Sequence, residues 1–262
     1  MTAPPARPAK GPRERSDSEQ GPLASLDVRG LVRTFGPIRA VDGLSFTLHP
    51  GELLTVFGPN GAGKSTLLNL LAGALQPSGG EVRMEGRLRS HGDVEWRRSV
   101  GILSHRTFLY GHLTARENLR FYGRLFGVPH LEERIVERLE AVELERRGDE
   151  PVRGFSRGMR QRLGLARTLL HDPAIVLLDE PYTGLDVHAA SLLRELLSSL
   201  KDGRRTVVLV THDLNQGLEL ADRVAIQVRG RFAHLDQAAH LPSGPVDAFY
   251  REVVEEALEE GR

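Results

Sequence analysis

The run Gly58-Pro59-Asn60-Gly61-Ala62-Gly63-Lys64-Ser65-Thr66 fits the pattern Gly-x4-Gly-Lys-[Ser/Thr]. No other stretch constrains the fold so tightly, because such a loop works only between a buried strand and a helix N-terminus. Both neighbours have the required texture. Leu53-Leu54-Thr55-Val56-Phe57 reads as a buried strand, and Leu67-Leu68-Asn69-Leu70-Leu71-Ala72 as a helix. Glycines let the backbone turn its N–H groups around phosphate oxygens, and the helix N-terminus adds partial positive charge. Lys64 would reach the β- and γ-phosphates, and the Ser65 hydroxyl would bind Mg²⁺. The chain contains three lysines, Lys10, Lys64 and Lys201, and one of them falls on the motif's lysine position.

The bulk properties narrow the classes that remain. The 262 residues suffice for one sizeable core with a subdomain. The 35 basic and 35 acidic residues cancel, so no basic excess is available to hold a nucleic-acid backbone. Without cysteine, disulfides, thiolate metal sites and cysteine nucleophiles are ruled out. No apolar run approaches the ~20 residues that span a bilayer, and no N-terminal apolar region suggests secretion. The expected location is the cytoplasm.

Residues 1–24 hold five prolines, many charges and few large apolar groups. They are expected to form a disordered tail. From Ser25 to Gly51, the alternations Leu26/Val28 and Leu44/Phe46/Leu48 predict an antiparallel patch, which Glu81 to Leu88 extends with a turn at Glu85-Gly86. Between Trp96 and Arg147 the texture turns helical. Thr114 and Glu117 form a capping-box pair at a helix start. Leu131 to Leu144 is predicted to be helical, with Ile135, Val136, Leu139 and Val142 on one face, and Met159 to Leu170 forms the next helix. Two apolar β runs follow, Ala174 to Leu178 and Val207 to Val210, with a helix over Ala189 to Leu200 between them; Val224 to Val228 is predicted as the last strand. Strands alternating with helices after a phosphate loop predict a parallel α/β sheet with crossover helices. Past Asp236, a helix over Val246 to Leu258 carries Phe249, Val253 and Leu258 among acids, a face that suits either its own domain or a partner.

The strand Ala174 to Leu178 ends in Asp179-Glu180. Carboxylates there lie at the carboxyl edge of a parallel sheet, where α/β ligands bind. Asp179 would hold Mg²⁺ through water, and Glu180 would act as general base on the attacking water. Val208-Leu209-Val210-Thr211 leads into His212, which could donate to the γ-phosphate. In Phe155-Ser156-Arg157-Gly158-Met159, Ser156 suits an N-cap and Gly158 permits close backbone approach to an anion.

Taken together, residues 25–235 resemble the ATP-binding subunit of an ABC transporter. Gly58 to Thr66 looks like Walker A, Phe155 to Met159 like the signature motif, and Ile175 to Glu180 like Walker B with its catalytic glutamate. Thr183-Gly184-Leu185-Asp186 looks like the D-loop, His212 like the switch histidine, and Phe35 stands where the family stacks an aromatic on adenine. The resemblance implies a nucleotide-binding domain over 25–235, a helical subdomain over about 93–165, and a C-terminal tail over 236–262. It also implies ATP and Mg²⁺ as cofactors. Gly58, Pro59, Asn60, Gly61, Ala62, Gly63, Lys64, Ser65 and Thr66 would hold ATP in one protomer; Ser156 and Gly158 would hold it from the other, and Asp186 would also contact the nucleotide. Two such domains, identical or different, would pair head to tail on separate membrane permease subunits, peripheral to the cytoplasmic face of the cell membrane.

Arg157 and Met159 depart from the usual signature residues, and His105 replaces the glutamine that contacts Mg²⁺ and the nucleophilic water in the family. His105 either takes that role or only shapes the loop that couples to the permease. Ser104-His105-Arg106 and Leu109 to Leu119 resemble exporter-type members, nearest to the ATP-binding subunit of the cytochrome c maturation haem exporter. Other exporters of drugs, lipids or polysaccharides, and a soluble iron–sulfur assembly ATPase, are the alternatives.

Overall fold

The computed structural model describes residues 25–90, 92–104, 107–201, 203–242 and 244–260. The expected N-terminal tail and His105 lie outside the described residues. Two sheets organise the rest. The first is antiparallel, with strand order β2-β1-β4-β5, formed by β1 (Leu26–Phe35), β2 (Ile38–Leu48), β4 (Gly79–Met84) and β5 (Arg87–Leu88). Glu85 and Gly86, both at positive φ, make the β4–β5 turn where the sequence puts it.

The second sheet runs β10-β9-β3-β8-β7-β6. Its members are β3 (Leu53–Phe57), β6 (Val100–Leu103), β7 (Ile175–Asp179), β8 (Thr206–Val210), β9 (Arg223–Val228) and β10 (Arg231–Gln237). The pairs β3–β8, β3–β9, β7–β8 and β6–β7 are parallel. Strands β3, β7 and β8 are buried along their whole length, because helices cover both faces. That explains why they read as unbroken apolar runs.

Two strands correct the sequence reading. Val100-Gly101-Ile102-Leu103 falls inside the stretch assigned to helices, yet it forms the edge strand beside β7. It is too short, and Gly101 too poor a strand former, to give a signal of its own; Gly101 is there because a side chain would strike Thr168 and Pro173. Strand β9 is not the last, since β10 pairs back on it antiparallel after the Arg229-Gly230 turn. Its half-buried residues and interspersed polar groups carry no clean alternation.

Helix α1 (Lys64–Leu71) follows the phosphate loop, and α2 (Val94–Ser99) buries Trp96, whose indole N–H donates to the Leu71 carbonyl at 2.8 Å. The helical block consists of α3 (Ala115–Phe126), α4 (Leu131–Ala141) and α5 (Arg157–Leu169). The capping box at Thr114 and Glu117 is present with both reciprocal hydrogen bonds. On α4, Ile135 and Leu139 are buried but Val136 is exposed, because 100° of rotation carries it off the face they share. Helices α6 (Val187–Leu200), α7 (Leu214–Glu219) and α8 (Val246–Glu259) are the remaining α-helices among the described residues. Of the two surfaces open to α8, it takes its own domain: Phe249 and Val253 pack with Val224, Ile226 and Val228 of β9. Leu258, in the last turn, remains partly exposed.

Candidate functional site: a phosphate loop facing two carboxylates

Strand β3 ends at Phe57, and the chain must reverse over its neighbours before α1 can start. Gly58 does this at φ 150° and Gly63 at φ 104°, both outside the range of L side chains. Space forbids a side chain as well. A Cβ on Gly58 would collide with the Gln227 carbonyl, and one on Gly63 with the Ala40 carbonyl. Gly63 is the N-cap of α1 and supplies no side-chain bond, and the first turn of α1 carries no acid. The helix therefore opens with unpaired N–H groups and an uncompensated positive dipole end, the arrangement that takes an anion.

Lys64 is 9% exposed, and its Nζ donates to the Gly58 carbonyl at 2.7 Å and to the Pro59 carbonyl at 2.9 Å. Burial lowers its pKa from the ordinary lysine value, while Glu180 and Asp179 pull the other way. The two carboxylates thus lie within electrostatic reach of the loop lysine. They share a cavity of about 280 Å³ with Ala40, Asn60, Gly61, Ala62, Gly63, Lys64, Ser65 and Thr66. Larger hollows lie beside β10, but they contain neither the loop nor the acids. The donors fit a nucleotide phosphate with a divalent cation: backbone N–H groups and a lysine on one side, a hydroxyl at Ser65 and a buried carboxylate at Asp179 on the other.

Glu180 continues the β-ladder, its N–H donating to the Val210 carbonyl at 2.8 Å, and then turns to φ 52°. A non-glycine residue held there is strained by about 1 kcal/mol. Its carboxylate accepts from His212 Nδ1 at 2.8 Å and from the Thr211 hydroxyl at 3.3 Å. His212 is otherwise exposed. The end of β8 therefore orients the acid at the end of β7, a link between Glu180 and His212 that the sequence reading did not contain.

The remaining predicted residues stand apart from this cavity. Phe35, at the β1–β2 hairpin, is 45% exposed, with the Arg33 guanidinium 4.6 Å over one face of its ring. The Ser156 hydroxyl caps α5 by accepting from the Met159 N–H at 3.1 Å, and Ser156 itself is exposed. Gly158 lies next to Gly184 and Leu185. Asp186 caps α6, its carboxylate accepting from the Ala189 N–H at 2.8 Å. Between Glu180 and the start of α5, a smaller polar hollow is lined by Thr107, Arg157, Arg160, Gln161 and Thr183. Arg157, in the place of a signature glycine, lies against Gly184.

The sequence reading also missed an aromatic surface on the helical block. Phe108, Tyr110, Phe121 and Leu125 are exposed, with Tyr110 and Phe121 in edge contact at 5.1 Å. Arg167 lies beneath, its guanidinium 5.1 Å from the Tyr122 ring. Only the fold brings the two segments together, so no local pattern signals the patch.

The chain is similar to known proteins. The family model for ABC transporters matches residues 41–183. The chain is 38% identical over 213 residues to the Nod factor export ATP-binding protein I of Ralstonia nicotianae, covering 80% of this chain and 66% of that protein. It is 35% identical over 232 residues to the sulfate/thiosulfate import ATP-binding protein CysA of Pectobacterium atrosepticum, covering 86% of this chain and 70% of that one. Among solved structures, a dimeric ATP-binding cassette in a post-hydrolysis state, bound to ADP and Pi, superposes with a TM-score of 0.74 at 28% identity, covering 81% of this chain and 98% of that one. The phosphate loop, the paired acids and these matches agree, and the chain belongs to the ABC transporter family as an ATP-binding domain.

Proposed function

We propose that this chain is the ATP-hydrolysing subunit of an ABC exporter. The observation that carries the reading is the shared cavity of Lys64, Ser65, Asp179 and Glu180. Walker A, from Gly58 to Thr66, wraps the phosphates, and Lys64 leaves the Gly58 and Pro59 carbonyls for them. Ser65 and Asp179 would hold Mg²⁺, which would neutralise phosphate charge. Glu180, oriented by His212, takes the proton of the attacking water, and His212 donates toward the γ-phosphate when Nε2 carries a proton as well as Nδ1. Phe35 offers its open ring face to adenine.

Ser156 and Gly158 are exposed or half-buried and do not line this cavity, which supports their action on the ATP of a second domain paired head to tail, with Asp186 near the junction. The dimeric ADP-bound relative supports such pairing. No helix among the described residues is long and apolar enough to cross a membrane. The exposed Phe108, Tyr110, Phe121 and Leu125 offer an apolar seat for a separate membrane subunit on its cytoplasmic face. The Nod factor export relative, at 38% identity, supports export, against 35% for the sulfate/thiosulfate import relative. Haem export for cytochrome c maturation is the narrower form that the Ser104 to Leu119 resemblance gives, and His105 would then shape the coupling loop or contact Mg²⁺.

The test is affinity purification of Glu180→Gln from native membranes with ATP. An exporter permease in the eluate supports the reading. A cytochrome c maturation permease, with ATPase stimulated by haem, supports the narrower one. An import permease, or soluble assembly proteins alone, would overturn export.

A further inference from the structure

Strand β9 is apolar at every fully buried position except Gln227. Period-two geometry gives Gln227 the face of Ala225, which packs with Leu67 and Leu70 of α1, and not that of Val224, Ile226 and Val228, which pack under α8. Gln227 is 0% exposed, and neither its Nε2 nor its Oε1 has a hydrogen-bond partner among the described residues. Leaving such bonds unmade is costly, so a buried amide without partners calls for an explanation. The side chain is aimed at the phosphate loop: a Cβ on Gly63 would sit 2.9 Å from Gln227 Nε2, and Gly58 lies against the Gln227 carbonyl.

We propose that Gln227 is a positioning residue for the phosphate loop, bonding its underside when phosphate fills its upper face. The proposal rests on the nucleotide-binding reading of that loop. In a planar trans peptide, N–H and C=O point in opposite directions. Each loop N–H drawn toward a phosphate therefore swings the preceding carbonyl away from it, toward β9. One such tie already exists, since the Ala62 carbonyl accepts from the Gly230 N–H at 2.9 Å. Gln227, three residues earlier on the same side of the loop, supplies the second. Its amide is unsatisfied until the ligand arrives, so the free protein is destabilised and the bound one is not.

Gln227→Met keeps the side chain's length and removes both polar ends. In thermal unfolding of the full chain without nucleotide, the variant is expected to melt about 2–4 °C higher than the unsubstituted protein. In calorimetric titration with MgADP it binds about tenfold more weakly. Its ADP-induced gain in Tm shrinks accordingly. A purely structural role would shift both melting points together and leave Kd unchanged. Equal Kd values overturn the proposal, and so does a free variant that is less stable or does not fold; Gln227→Leu is held to the same standard. An unsubstituted chain that binds no ADP removes the nucleotide site itself, and the proposal with it.

Discussion

Helices α1 and α5 both begin with residues the sequence assigns to phosphate, but they begin differently. Helix α1 starts from Gly63, with no side-chain cap and no acid in its first turn, and is wedged between strands in the core. Helix α5 starts from Ser156, whose hydroxyl already satisfies the Met159 N–H, and it starts in solvent. The first terminus is built to need an anion. The second is stable by itself and still has a hydroxyl hydrogen to give. On the proposed function, the difference separates a site that binds alone from a surface that contributes only when a second domain brings a phosphate to it.

The largest effect that can test this difference belongs to the core half. Glu180→Gln should lower ATP turnover by ~10²–10⁴-fold in a steady-state phosphate-release assay, with nucleotide affinity retained. Unimpaired hydrolysis would remove Glu180 from the role of base.

Next come two tests of how the helical block is held. Asn118 is fully buried, and its side chain bonds both the N–H and the carbonyl of Tyr110 and the Thr114 carbonyl. Asn118→Leu should destabilise the chain by about 2–4 kcal/mol in urea unfolding, while MgADP affinity stays within about twofold. His171 stacks on Phe126 at 4.0 Å, 7° from parallel, and burial pushes its pKa down to about 4 from 6.5. The folded state therefore refuses a proton that the unfolded state accepts. This stability is complete above pH 6.5 and is lost as pH falls from 6.5 to 4, by about 3 kcal/mol. Urea midpoints across that range check it, and His171→Phe should flatten this part of the slope.

The smallest effect is the most diagnostic. Ser156→Ala should cost about 1 kcal/mol of stability through the lost cap. It should leave the ADP affinity of the single domain unchanged, yet weaken ATP-driven pairing of Glu180→Gln domains in size-exclusion chromatography. Weaker ADP binding by the lone domain would erase the distinction between the two helix starts.

How much of this was legible in the sequence follows the same division. The phosphate loop, Asp179, Glu180 and the capping box at Thr114 and Glu117 are local devices, and local spacing reveals them. Strands β7 and β8 are buried on both faces and announce themselves as apolar runs. Strand β6 is hidden because four residues directly after a helix end have no period to read, and β10 because half-burial blurs alternation. The Glu180–His212 contact, the orphaned amide of Gln227 and the aromatic surface around Phe108 all join residues distant in sequence. Only the sheet order brings them together, and no pattern in one chain encodes that order locally.

The attachment of α5 sets how far a push can travel. Near its C-terminal end, Arg167 donates to the Ile102 carbonyl at 2.7 Å and Thr168 to the same oxygen at 3.1 Å. Ile102 belongs to the edge strand that leads directly into residues 104–107. Ser156 lies at the far end of the helix, roughly 17 Å away at 1.5 Å per residue. A rigid helix held there would act as a lever with its fulcrum on a sheet edge. A tilt of about 10° at the fulcrum moves Ser156 by about 3 Å, the full length of a hydrogen bond. On the proposed function, force applied where the chain leaves β6 would reach the far arm as a displacement comparable to the length of a hydrogen bond.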